Sequence, residues 1–71
     1  MLCVRIKLDK MLEHLGITRY ELSKRTGIQY LNIDNYYKNK ISRYDSYILA
    51  RICEALNCDI SDILEVIETE V

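Results

Sequence analysis

The segment from Gly16 to Asn39 constrains this chain most, because its helix start and stop signals fall in a fixed order. Thr18 followed by Glu21 forms a T-x-x-E capping box, in which a hydroxyl and a carboxylate satisfy the open N–H groups of a helix start. Ile17 before the cap and Leu22 after it can staple the same turn together. Gly27 then permits the sharp change of direction that ends a helix over residues 19–25. A further helix restarts at once in IQYLNIDNYYKN. Helical spacing turns Ile28, Ile33 and Tyr36 inward and leaves Tyr30, Leu31, Asp34, Asn35 and Lys38 on one outward stripe. Asn39 closes that helix, since Asn tolerates positive φ better than other side-chain-bearing residues.

The flanks extend a helical pattern. Leu8, Met11, Leu12 and Leu15 recur at spacings of three and four and predict a helix stopped by Gly16. After a loop through Lys40, Ser42 and Arg43, Asp45 caps a helix whose core stripe is Ile48, Leu49, Ile52, Cys53 and Leu56, ending at Asn57. Asp59 with Asp62 punctuates a short last helix carrying Ile60, Ile63 and Leu64. With no Pro, Phe or Trp in 71 residues, the expectation is all-α: a compact five-helix bundle forming one domain over residues 1–71. The ends have two readings. Leu2, Val4, Ile6 and Leu8 alternate with Cys3, Arg5 and Lys7, as a strand does, and the β-branched tail Val66–Val71 offers it a partner for a small two-stranded ribbon joining the termini. The competing reading extends the first helix backwards and leaves the tail frayed.

Composition excludes several classes. No stretch approaches the roughly 20 apolar residues of a membrane span, and MLCVRIKLDK carries charges where a signal peptide needs an apolar run, so the protein is expected to stay in the cytoplasm. Cys3, Cys53 and Cys58 show no CxxC spacing, which favours small buried thiols over a disulfide scaffold or a zinc site completed by His14. The lone histidine has no evident nucleophile partner and no Gly-rich phosphate loop exists, so neither an enzyme nor a cofactor is expected. No pocket for a small-molecule substrate is suggested either. Net charge is −1, yet its distribution is uneven. Residues 1–50 hold nine Lys/Arg against five Asp/Glu, whereas residues 51–71 hold Arg51 against six acids. A basic portion with an acidic tail suits one side facing nucleic acid and another turned away.

Two short helices across a tight Gly turn make a helix-turn-helix. With Arg19 as its first position, the unit needs an apolar fourth residue (Leu22), a small fifth (Ser23), a Gly ninth (Gly27) and apolar residues at ten, fifteen and eighteen (Ile28, Ile33, Tyr36). Through ITRYELSKRTGIQYLNIDNYYKNK, then LARICEALNC and DISDILE, the chain resembles the phage-repressor and Cro-type (XRE-type, lambda-repressor-like) helix-turn-helix family. That resemblance implies a five-helix fold, sequence-specific binding of double-stranded DNA, transcriptional regulation, most often as a repressor, and a homodimer on near-palindromic sites. It places Gln29, Tyr30, Leu31, Asp34 and Asn35 towards base edges. Arg19, Lys38, Lys40, Ser42 and Arg43 fall where members hold phosphates. Asn35 and Gln29 suit adenine, Asp34 could accept from cytosine N4, and Leu31 suits a thymine methyl. Tyr30, Leu31, Asp34 and Asn39 depart from the residues usual there. The alternative is a protein-interaction module on the same fold, antitoxin-like or antirepressor, using Tyr30, Leu31, Tyr37 and Tyr44 as an aromatic patch.

Overall fold

The computed structural model describes residues 1–70, and Val71 at the end of the expected tail strand lies outside them. Strand β1 (Leu2–Ile6) is followed by α1 (Leu8–Leu15), α2 (Arg19–Thr26), α3 (Tyr30–Tyr37), α4 (Ser46–Leu56) and β2 (Leu64–Glu68), with one 3-10 turn at Ile60–Asp62 before β2. The helices begin and end on local chemistry. The Thr18 hydroxyl accepts the Glu21 N–H at 3.1 Å, and Asp45 Oδ1 accepts those of Tyr47 and Ile48 at 2.8 and 3.2 Å, caps contributing about 1 kcal/mol each. Glu21 does not complete the expected box; its carboxylate takes the Arg25 Nε–H at 3.2 Å, one turn on.

Left-handed residues close the helices. Gly16, Asn39 and Asn57 stand at φ 69°, 60° and 52°. Past them, Ile17, Lys40 and Cys58 each return an N–H to a carbonyl five residues back, on Leu12, Asn35 and Cys53. The core between the helices comprises Ile6, Leu8, Leu12, Leu22, Ile28, Ile33, Tyr36, Ile52, Leu56 and Ile63, all buried.

The ribbon is antiparallel, with Leu2 opposite Glu68, Val4 opposite Val66 and Ile6 opposite Leu64. Bonds from Thr69 N to Met1 O (2.8 Å) and from Lys7 N to Ile63 O (2.7 Å) extend it at both ends. The backward-extended first helix is therefore not formed.

The five-helix expectation needs correction: the described residues form four α-helices, and the segment expected as a fifth is a single 3-10 turn. Asp62 N bonds to Asp59 O at 2.9 Å and Ile63 N to Ile60 O at 3.1 Å, a three-residue repeat. The Asp59 N–H donates to Asp62 Oδ2 at 2.9 Å, closing the turn on itself. Leu64, expected on that helix, already pairs with Ile6 in the ribbon, so the backbone groups a second turn would use are committed to the strand.

Candidate nucleic-acid interface

Two hydroxyls of α2 fix the turn into α3. Ser23 Oγ donates to the Ile28 carbonyl at 2.5 Å, and Thr26 Oγ1 accepts the Ile28 N–H at 3.2 Å while donating to the Leu22 carbonyl at 2.9 Å. Both backbone groups of buried Ile28 thus find partners on the preceding helix. Gly27 between them has φ +73° and open space where a Cβ would stand, so its left-handed backbone, and not crowding, calls for glycine. From behind, Arg51 Nη2 donates to the Thr26 carbonyl at 2.7 Å, tying α4 to the end of α2.

Helix α3 is anchored by buried Ile33 and Tyr36. The Tyr36 hydroxyl reaches across to accept the Asp45 N–H at 2.9 Å, and its ring meets Tyr44 edge-on, with centroids 6.0 Å apart. The loop carrying Lys40, Ser42 and Arg43 is therefore tethered to α3 both where it leaves and where it enters α4. Asn39 adds a third tie, its Oδ1 accepting the Ile6 N–H at 3.3 Å.

On the opposite face of α3, Tyr30 and Leu31 are exposed and Asn35 is half-buried. Gln29, the residue before the helix, is exposed and makes no capping bond with its side chain. Asp34 lies on the same stripe, but both its oxygens are engaged. Arg19 Nη1 binds Oδ1 at 2.5 Å and Lys38 Nζ binds Oδ2 at 3.0 Å, leaving the side chain only 15 % exposed. The hydrogen bond from Lys38, reinforced by Arg19, holds the Asp34 carboxyl below its ordinary value of 3.8. The Arg19 guanidinium also lies over the Tyr37 ring, 4.5 Å from its centroid, so it is held on two sides at the start of α2.

The structure thus gathers Gln29, Tyr30, Leu31 and Asn35 on one outward surface, with Arg19 and Lys38 beside it. Lys38, Lys40, Ser42 and Arg43 are exposed, and among the described residues Lys40 and Arg43 enter no ion pair. Asp34 is not brought forward as an open acceptor: it is the counter-ion of two neighbouring cations. The proposed aromatic patch does not assemble as a surface. Tyr37 lies beneath Arg19 and Tyr44 packs on Tyr36, both half-buried against the core, leaving Tyr30 and Leu31. Sequence reasoning gave no part to the Ser23 hydroxyl, Thr26 or the Tyr36 hydroxyl. A polar side chain at the edge of a Gly turn was the available signal for the first two.

The sequence profile of the Cro/C1-type helix-turn-helix DNA-binding domain matches residues 7–69. This chain belongs to that family. Among solved structures, the transcriptional regulator VanUg, form II, is 29% identical, with 96% of this chain and 89% of that one covered and a TM-score of 0.76. A candidate DNA-binding protein from Bacteroides fragilis is 26% identical, with 92% and 100% covered and a TM-score of 0.70. No curated protein matches the chain. As a Cro/C1-type domain, the chain has α2 and α3 as its helix-turn-helix, and β1 lies wholly before the matched segment. No helix among the described residues is long and apolar enough to cross a membrane. The three cysteines are free thiols, and among the described residues no group of three metal-ligating side chains converges.

Proposed function

We propose that residues 1–71 form one DNA-binding domain that reads double-stranded DNA with α3 and regulates transcription in the cytoplasm by occupying its site, as a repressor. The observation that carries this reading is the outward surface of α3, where side chains suited to base edges stand between cations suited to phosphates. Gln29 and Asn35 are the amides for adenine, Leu31 contacts a thymine methyl, and the Tyr30 hydroxyl bonds a base or phosphate. Arg19, Lys38, Lys40, Ser42 and Arg43 hold the backbone and set register. Asp34 acts only through its two partners: it fixes where Arg19 and Lys38 stand and holds part of their charge back from the phosphates. Recognition of a near-palindromic site requires a symmetric homodimer, the arrangement the family resemblance implies.

The test is a fluorescence-anisotropy titration with random duplex DNA at low and near-physiological salt, run beside the Lys38→Ala/Lys40→Ala/Arg43→Ala triple variant. Wild-type affinity is expected to fall steeply with salt. The triple variant should flatten the log–log slope by about 2.7, at about 0.9 per phosphate contact removed. Absence of binding even at low salt would overturn the reading in favour of a protein-interaction module built on Tyr30 and Leu31.

A further inference from the structure

The ribbon leaves an apolar face uncovered. Residues opposite each other in an antiparallel pair point to the same side, so Leu2, Val4 and Ile6 share a face with Glu68, Val66 and Leu64. Ile6 turns into the core, but Leu2, Val4 and Val66 remain 67, 52 and 64 % exposed. Ile60 on the adjoining 3-10 turn is 47 % exposed. Between these groups lies an open cleft of about 310 Å³, walled by Val4, Ile60, Leu64 and Val66 and edged by Ser61 and Glu65.

We propose that this face is the surface through which two copies of the chain pair about a two-fold axis. The proposal deepens the DNA-binding reading and rests on it for one point only, the need for a symmetric partner. An isologous interface must carry both halves of its own fit. Here a protruding Leu2 stands at one end of the ribbon and the cleft beside Ile60 and Leu64 at the other, with the Val4–Val66 pair between them. A two-fold axis through that pair sets Leu2 of each copy over the cleft of the other. Charge does not oppose the pairing. The two carboxylates at the rim already have cations of their own chain, Glu68 with the N-terminal ammonium at 3.0 Å and Glu65 with Lys7 at 3.7 Å. Area is also in proportion. A stable dimer buries about 800 Å² per partner, about a sixth of this chain's 5033 Å² surface, around an apolar centre of the kind these four side chains provide. A two-stranded ribbon is marginal by itself, so covering one face also secures it.

Sedimentation velocity over a concentration series tests the assignment, using the full chain, Val66→Lys, Val4→Lys and, as a control on a distant exposed aromatic, Tyr47→Lys. Wild type and Tyr47→Lys are expected to be dimers. Each ribbon variant should weaken dimerisation at least about a hundredfold, because the two-fold axis places every substitution in the interface twice. Unchanged far-UV circular dichroism in these exposed-site variants would separate loss of pairing from loss of folding. A wild-type monomer at near-millimolar concentration, a dimer that survives both ribbon substitutions, or one lost equally in Tyr47→Lys would overturn the proposal. Random-duplex binding measured on the wild-type chain keeps the two readings apart: a wild-type dimer that ignores DNA sinks only the DNA reading, and a wild-type monomer that binds DNA sinks only this surface.

Discussion

Asp34 shows how one residue can have a different role from the one its position suggests. On the helical stripe it looks like a base reader, yet in the fold its carboxylate sits between Arg19 and Lys38. Neither partner is readable from the sequence with equal ease: Lys38 is one turn away on the same helix, whereas Arg19 is adjacent only because α2 crosses α3. Because the Asp34 pKa is lowered in the folded chain, the unfolded state binds the proton more readily. The associated stability is present above the ordinary value of 3.8 and is lost as pH falls below it, through the lowered folded value. Asp34→Asn should therefore show a flatter decline in urea midpoint between pH 5 and 2.5 than wild type. The same substitution releases two cations from an intramolecular competitor. Affinity for random duplex at low salt should rise by about tenfold, on the order of one unit charge removed near a phosphate at intermediate dielectric. A fall in affinity would instead mean that the orientation Asp34 imposes on Arg19 outweighs the charge it contributes.

The turn between α2 and α3 depends on hydroxyl groups as much as on glycine. Thr26→Val keeps the shape of the side chain but leaves the buried Ile28 N–H without its partner, and should cost about 2 kcal/mol in urea unfolding. Thr26→Ser retains the bond and should lose distinctly less. The two left-handed asparagines provide a contrast between elements. Asn57 closes α4 and makes no side-chain bond comparable to that of Asn39, so Asn57→Gly should add about 0.5 kcal/mol by relieving the φ of 52°. Asn39→Gly relieves a similar φ but removes the bond to Ile6, and should lower the urea midpoint. Helix ends were legible in the sequence because caps and left-handed closures act within a few residues: Gly16, Thr18, Gly27, Asn39, Asp45 and Asn57 all mark the boundaries they promised. The last expected helix was misjudged because Asp59 and Asp62 punctuate one 3-10 turn as readily as the start of a long helix. Nothing local reveals that Leu64 is claimed by Ile6, whose strand lies at the other end of the sequence. The outward stripe of α3 was legible from its 3.6-residue period, while Tyr37 as a platform for Arg19 depended on the crossing of two helices.

At the scale of the molecule, the ribbon is where distant parts of the sequence meet. Besides the strand pairing, the N-terminal ammonium donates to the Thr69 carbonyl at 3.2 Å and the Thr69 N–H returns a bond to Met1. Met1 and Thr69, 68 positions apart in sequence, are thus hydrogen-bonded neighbours in the fold. Joining Met1 to the chain after Thr69 through a short flexible linker would ask little of the native state while denying the unfolded chain most of its end-to-end freedom. Loop-closure entropy for a circle of this size predicts a gain of up to about 4 kcal/mol, readable as a higher urea midpoint for the cyclised protein than for its linear form carrying the same linker. The same proximity makes the molecule a candidate for circular permutation: the order in which α1 to α4 leave the ribosome could be rotated without changing which residues face one another.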